Sequence, residues 1–534
     1  MAKPGVRFQP EVNAAMQRGV HKLVGLVSPT LGPLPRTVAH QKHSDVELLD
    51  KGAIIARRMT DLPDRREDIG AMYVRHTIWQ LYEDVGDGTA TAAVLFRSLY
   101  DEGLRYLAAG ADGGKVRRYL EKALEEVLEH LATQTRPVGS EAQLKGVAKS
   151  VCSDDALAEV LGETVNILGE FGKLELRKGG SEHEWSFVEG NYWSGGVLSK
   201  RFLEGKTPAR AELGNAGVLI TDFTIEDPRS LPPILKTAIA AGLTKLLLVA
   251  KKVSEPVVTF LTSPQLLEQI EVLPVKLDGF TQAKDSANGA DLSALVGGYP
   301  VVALGETELP RVRADDFGRA RLVWADAQHV GIVGGGGDAL KLREHVETLK
   351  AAFHKIDDAD TRKTLRQRLG TLLGGAVTLW VGGASEREVE QNREVAEHTD
   401  LTLRGALEQG VLPGGGAAYL NCRNLLCNRV AESEVFEERV SYQMLQTAVE
   451  APLRTMLSSA GLEPAEIFAQ LQNVDEGVGY DIRTNEVVNM YEAGVLDVAT
   501  VQKAALRYAV KSVALVLTVE AVVYKKNPEQ VVAP

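Results

Sequence analysis

The chain reads Gly86-Asp87-Gly88-Thr89-Ala90-Thr91 and continues through Ala92-Ala93-Val94-Leu95 into an apolar helical pattern. Two glycines let the backbone turn tightly and approach a ligand closely. A helix that begins here points its free N–H groups and positive dipole end at whatever sits in the turn. Asp87 adds a carboxylate, a hard oxygen ligand suited to Mg²⁺, and Thr89 and Thr91 add hydroxyls. A metal-chelated phosphate fits that combination. An ordinary glycine turn ahead of a helix fits the same six residues, so the surrounding chain has to decide.

A chain of 534 residues is long enough for several cores, and such lengths split into domains. The formal net charge of −12 argues against a nucleic-acid or anionic-membrane partner. The first residues, Met1-Ala2-Lys3-Pro4-Gly5-Val6, carry no apolar signal region, and no uncharged apolar run reaches the roughly 18 residues of a membrane span. Cys152, Cys422 and Cys427 lack the paired spacing of zinc sites, so buried reduced thiols and a cytoplasmic location are expected.

From the N-terminus, 10–27 reads as an amphipathic helix with Val12, Met16, Val20, Leu23, Val24 and Val27 on one side. It runs into a Pro/Gly-rich loop over 28–36. A short strand signal over 46–49, a turn at Asp50-Lys51-Gly52 and an apolar segment over 53–59 follow, and a helical pattern over 72–82 leads to the opening motif. Helices are expected over 92–109, 114–133, 141–151 and 154–168, with a break at Arg136-Pro137-Val138. Between 190 and 375 the character changes. Short β-rich runs (218–220, 245–249 and 301–303) alternate with helical stretches such as 234–241, the pattern of an α/β domain. Helical patterns return over 365–375 and 385–409, and the final third is helical except at 410–416 and 477–481. An α/β domain is thus inserted into a helical body.

Several of these stretches resemble the group I chaperonins, the bacterial GroEL-type 60-kDa chaperonin family, and the resemblance spans nearly the whole chain. Gly86 to Leu95 resembles the family's nucleotide signature, and Thr30-Leu31-Gly32-Pro33 its phosphate loop. Gly410-Val411-Leu412-Pro413-Gly414-Gly415-Gly416 resembles its second glycine loop, and Asn489-Met490-Tyr491-Glu492-Ala493-Gly494-Val495-Leu496-Asp497 its nucleoside-contacting segment. The resemblance implies a multidomain α and α/β chaperonin fold. A helical equatorial domain would span 1–134 and 410–534, a small intermediate hinge domain 135–189 and 376–409, and an α/β apical domain 190–375. It also implies two stacked seven-membered rings of this chain that enclose a cavity, nonnative client proteins, and a lid-like co-chaperonin.

Carried over residue by residue, the resemblance implies that Thr30, Leu31, Gly32, Pro33, Asp87, Gly88, Thr89, Ala90, Thr91 and Gly415 surround the phosphates of ATP and its Mg²⁺. Asp87 would be the metal ligand, and Asp481, Ile482, Arg483 and Asp497 would hold the nucleoside. Ala90 lacks a hydroxyl that the family usually has. Two departures bear on catalysis. The family's loop after the first strand ends Asp-Gly, whereas Lys51 precedes Gly52 here, with Asp50 before it. The family's water-positioning aspartate on the hinge helix is matched by His398, beside Glu397. A lysine ammonium has no acceptor, and histidine accepts only when neutral. Loss of such a group costs on the order of 10²–10⁴ in rate. Nucleotide binding with slow hydrolysis is the expectation, and substitution by Asp50 and Glu397 is the alternative. Folding machine and non-hydrolysing holding scaffold are the two functions in view.

In the family, two apical helices bind clients through aliphatic side chains. The matching candidates here are Phe202, Leu231, Ile234, Leu235, Ile239, Phe260 and Leu261, with Pro264 expected to break the second helix. Any one of these residues equally suits an apical core. Gly334-Gly335-Gly336-Gly337-Asp338 lacks the GK[ST] of a P-loop and reads as a turn, and the charge-rich 386–397 segment reads as a solvated helix face or subunit contact.

Overall fold

Short polar side chains start most of the long helices by accepting hydrogen bonds from their first free N–H groups. Asp64 opens Arg65–Val85, Asp112 opens Gly113–Thr133, Ser140 opens Glu141–Val151, Asp154 opens Asp155–Leu168, and Ser385 opens Glu386–Gln409. The structure, a computed structural model, describes residues 4–42, 45–188, 190–278, 287–301, 311–356, 358–472 and 474–525. It divides into two compact units. One comprises Met1–Glu170, Lys178–His183 and Val381–Pro534, and the other Phe171–Arg177 and Glu184–Trp380.

The first unit is helical. Its core gathers the apolar faces of Glu11–Val27, Arg65–Val85, Thr89–Ala108, Gly113–Thr133, Phe436–Ala460 and Ala499–Val516. Phe96, Leu99 and Tyr100 are fully buried there, and an apolar side chain so buried is worth about 1.5–3 kcal/mol. The two ends of the chain close the unit: Pro4–Phe8 pairs antiparallel with Ala521–Lys525, from Pro4 opposite Lys525 to Phe8 opposite Ala521. A second ribbon pairs Val38–Lys42 with Asp45–Leu49.

The second unit is a closed six-stranded barrel with helices outside. Strands Ala211–Ile220, Lys245–Val249 and Glu271–Leu277 run parallel to one another, and Asn191–Val197, Phe317–Ala325 and His329–Gly335 complete the ring through antiparallel pairs. Leu213, Val218, Leu247, Val275, Val323 and Ile332 belong to one apolar cluster of this unit. Buried Asp291 is held by Arg368 at 2.8 and 2.9 Å and by His345 at 2.7 Å, so its charge is fully paired.

The α/β insertion into a helical chain is as expected from the alternating pattern, and Pro264 does separate two helices, Glu255–Leu261 and Pro264–Leu267. Several local expectations need correction. The final third, expected to be helical, ends differently: Ala499–Val516 is a helix whose buried residues recur at helical spacing, but Ala521–Lys525 beyond it is extended. The 53–59 segment is the helix Gly52–Arg58. Val301 bridges to Thr221, while Val302 and Ala303 lie outside the described residues. Cys427 is exposed, unlike buried Cys152 and Cys422. Among the described residues no helix is long and apolar enough to cross a membrane.

Candidate nucleotide site

The opening motif is a turn between two long helices. Gly86 ends Arg65–Val85 with φ 80°, its N–H donating to the Tyr82 carbonyl, and Gly88 precedes Thr89–Ala108 with φ 84°. Both angles lie in the left-handed region that only glycine adopts cheaply. No side chain caps the Thr89–Ala108 helix, so its first-turn N–H groups and positive dipole end are left for a ligand. Space is close on every side. A Cβ on Gly88 would lie 2.7 Å from Val501, and one on Gly86 would lie 2.1 Å from the His398 carbonyl oxygen. A Cβ on Gly52 would lie 2.9 Å from Thr89 Oγ1 and 3.4 Å from Thr30 Oγ1. Gly52 therefore joins the turn after Ser28–Thr30 to the opening motif, a role its place in a turn signal alone did not reveal.

Asp87 is half-buried, and burial pushes its carboxyl pKa up, opposed by the Gly88 N–H and by the positive charge of Lys51. Asp497 stands on the strand Leu496–Val498, paired with Val411–Pro413, and takes a hydrogen bond from the Gly416 backbone. Burial first, and the nearby Asp87 charge second, push the Asp497 carboxyl up to about 7. Two carboxylates thus face one small region beside a helix N-terminus. Mg²⁺ bound with a nucleotide uses one or two carboxylates plus phosphate oxygens rather than an all-protein cage. The chemistry of Asp87 fits that demand, and among the described residues no cluster of three or more acidic, His or Cys side chains suggests a separate metal centre.

The hydrolytic flank is built differently. Lys51 extends its Nζ to the Val151 carbonyl, at the end of Glu141–Val151. Asp50 accepts from Ser153 Oγ at 2.8 Å. His398 is buried, its ring stacked on Tyr82 with centroids 3.7 Å apart and planes 23° from parallel. Glu397 is 56% exposed and lies 3.8 Å from Arg393, on another side of the helix. Around His398, the helix is locked to the motif. Thr402 Oγ1 donates to the Val85 carbonyl at 2.9 Å, and buried Arg404 binds Asp400 at 2.8 Å and the Glu170 carbonyl at 2.9 Å. Neither Tyr82 nor Val151 carried a sequence signal for these contacts.

The other site residues fall as follows. Thr30 Oγ1 donates to the Val27 carbonyl at 2.8 Å, and Leu31, Gly32 and Pro33 follow half-buried, Gly32 against Met456. Ala90 and Thr91 are buried in the first turn of their helix. Gly415 lies beside Met490, within reach of the Tyr480 carbonyl on the hairpin Val478–Asp481/Glu486–Asn489. Asp481 accepts from the Arg483 N–H at 2.9 Å and Arg483 is exposed, whereas Ile482 packs into a cluster with Leu453, Met456 and Tyr480. The Ile482 side chain is thus part of the core beneath the hairpin.

In the barrel unit, the client-binding candidates divide. Leu231, Ile234, Leu235 and Leu261 are buried in one apolar cluster with Leu219 and Val257, as an amphipathic stripe also serves to seat a helix on its own barrel. Phe202 and Phe260 are partly buried against that cluster, and Ile239 is exposed, as is Leu267.

The sequence profile of the TCP-1/cpn60 chaperonin family matches residues 23–527. The fold is similar to that of the chaperonin gp146 from bacteriophage EL 2 (Pseudomonas aeruginosa), crystallised in the presence of ATP-BeFx. At 16% sequence identity, the TM-score is 0.72 to one crystal form and 0.63 to another, covering 98% of this chain and 99% of that one. Together with the helical unit, the inserted barrel and the glycine turn at the head of a long helix, the match over nearly the whole length settles the family: the chain belongs to the TCP-1/cpn60 chaperonins, with the chaperonin fold and a role in protein folding.

Proposed function

We propose that this chaperonin binds Mg-ATP in the cradle formed by Thr30–Pro33, Asp87–Thr91, Gly415, Asp481 and Asp497, uses that binding to control client folding, and hydrolyses the nucleotide slowly. The observation that carries the last point is what stands at the flank of the motif. Lys51 is spent on Val151, His398 is stacked on Tyr82, Asp50 accepts from Ser153, and Glu397 is 56% exposed on another side of its helix. A lysine and a histidine thus stand where carboxylates would orient water. Bound Mg²⁺ would be held by Asp87 and would supply charge neutralisation at the phosphates. The uncapped helix end would bind a phosphate through backbone N–H groups.

The proposal extends to assembly and clients. Both terminal ribbons of the helical unit expose apolar side chains: Phe8, Val46, Leu48 and Val523 are each 67–69% exposed. Edge strands with such faces pair with another copy, and cyclic closure hides every repeat of the surface. Ring assembly, seven-membered and stacked as in the resembling family, follows from this reading, with three parts (equatorial, hinge and apical) in each subunit. Ile239 and Leu267, exposed on the barrel unit, are the proposed client contacts, and a co-chaperonin would compete for the same face. The three free thiols suit a cytoplasmic setting.

Calorimetry tests the nucleotide claim. Mg-ATP binds the wild type, and Asp87→Ala weakens it by at least the ~10–100-fold that loss of even an outer-shell metal partner costs. Equal affinities would overturn the site. Light scattering tests assembly, and a protein that stays monomeric at micromolar concentration with and without nucleotide would refute the ring.

A further inference from the structure

Behind the turn that carries Thr30, the helical unit contains a second cavity of about 500 Å³, the size of a small-ligand pocket. We propose that it binds a small polyphosphate anion through Arg36, Arg97 and Arg454. The three guanidinium groups come from three places: the loop after Ser28–Thr30, the helix Thr89–Ala108 and the helix Phe436–Ala460. Ser28, Ser98 and Thr455 add hydroxyls to the same wall.

The charge around this cavity is not balanced by its own lining. Arg36 donates to a neutral acceptor, the Ser459 carbonyl, at 2.7 Å. Arg97 stands 3.7 Å from Asp101, too far for a hydrogen bond. Asp101, the one carboxylate of the described lining, is already held by Gln17 at 2.7 Å and by His21 at 2.8 and 2.9 Å. Arg454 shares Glu450 with Arg423, at 3.0 and 3.3 Å, so two cations divide one anion. On a chain of net charge −12, such a concentration of arginine runs against the average. The negative end of Phe436–Ala460 opens towards the same place, and Arg36 covers its Ser459 carbonyl, which leaves Arg97 and Arg454 to face a ligand.

Guanidinium groups bind phosphate oxygens in pairs, and three of them call for several negative charges on one small molecule. None of the described lining residues is aromatic, so nothing there stacks on a base. The recognised chemistry is the phosphate chain itself, free or as the tail of a nucleotide. Ser28 lines this cavity and Thr30, two residues on, belongs to the proposed nucleotide cradle, so an occupant would be separated from that cradle by one turn.

The test is titration of full-length Asp87→Ala protein with tripolyphosphate at about 0.15 M salt, which separates this cavity from the metal-dependent cradle. Binding is expected to persist there and to weaken about tenfold or more with Arg97→Gln or Arg454→Gln added, as for loss of a charge-assisted hydrogen bond. A parallel ATP titration identifies the source. ATP binding that depends on the same arginines assigns the nucleotide tail, and tripolyphosphate binding alone assigns the inorganic chain. No binding to Asp87→Ala protein, or affinity indifferent to both arginines, would overturn the proposal. A melt gives a second readout: tripolyphosphate should raise the midpoint of Asp87→Ala protein more than that of Asp87→Ala protein carrying Arg97→Gln and Arg454→Gln, each against sodium chloride of equal ionic strength. Equal shifts in the two would count equally against the cavity.

Discussion

The floor of the proposed nucleotide site and its flank are made of different material. The floor is main chain: Gly86 and Gly88 at positive φ, an uncapped helix end, and Gly52 pressed against Thr89 and Thr30. The flank is side chain: Lys51 on the Val151 carbonyl and His398 on the Tyr82 ring. A site built from N–H groups keeps its function whatever side chains surround it, provided the turn survives. A site built from carboxylates loses its chemistry with one substitution. Binding and hydrolysis can therefore part company inside one pocket, because they rest on separate parts of the polypeptide.

The sharpest way to break this comparison is to rebuild the flank. Lys51→Asp with His398→Asp should raise single-turnover ATP cleavage by on the order of 10²–10⁴, with a smaller change in affinity, since water positioning acts in the transition state. The double variant should exceed either single one, as both groups would act on one water. Two costs accompany it. Lys51→Asp removes the cation that favours the charged form of Asp87, and His398→Asp gives up a ring stack worth about 0.5–1.5 kcal/mol. A wild type already as fast as the double variant would show that some other group orients water, and the division between floor and flank would fall.

A smaller effect probes the floor without nucleotide. The Asp497 carboxyl is raised in the folded protein from 3.8 to about 7, so its contribution to stability is intact below about pH 4 and is lost as pH climbs through 7. Asp497→Asn should leave the melting midpoint nearly unchanged at pH 4.5 and raise it at pH 8. The gain is about 2 kcal/mol once solvent screening of a part-exposed group is allowed for. A midpoint difference that does not grow with pH would mean that the Asp497 carboxyl is not buried in solution as it is here. The smallest effect is at Ala90, buried in the first helical turn. Ala90→Thr supplies one hydroxyl, and calorimetry should show Mg-ATP affinity rising by about two- to tenfold, the worth of one neutral hydrogen bond. A loss of affinity would show that the turn has no room beside its backbone donors.

The floor was legible in the sequence because its physics is local. Two glycines around an aspartate, ahead of an apolar helical pattern, imply a turn and a free helix end without reference to anything distant. The insertion of an α/β unit was legible because short β-rich runs alternate with helical stretches between about 190 and 375, but nothing in that pattern announced a closed barrel. The flank was legible only as a pair of odd residues. What holds them, the Val151 carbonyl 100 residues from Lys51 and the Tyr82 ring far from His398, follows from packing that no window of sequence contains. The apical stripe was ambiguous for the opposite reason. Leu231, Ile234 and Leu235 show the right spacing, but spacing tells which side of a helix is apolar and not whether that side meets a barrel or a client. The strand Pro4–Phe8 is too short and too mixed to announce its partner across 512 residues of intervening chain.

That pairing of the first strand with the last bears on how the protein is made. The barrel unit is nearly continuous in the chain, Glu184–Trp380, and can collapse as soon as its last strand emerges from the ribosome. The helical unit cannot. Its opening helices leave the ribosome first, yet their apolar faces wait for Phe436–Ala460, for Ala499–Val516 and finally for Ala521–Lys525. At about 5–20 residues per second, the stretch after the barrel takes on the order of ten seconds to synthesise. Throughout that interval the nascent helices around Val24, Leu95 and Tyr100 present the kind of uncovered apolar surface that chaperonins bind. On the proposed function, a new copy in that interval carries the kind of surface that its own assembled relatives would recognise.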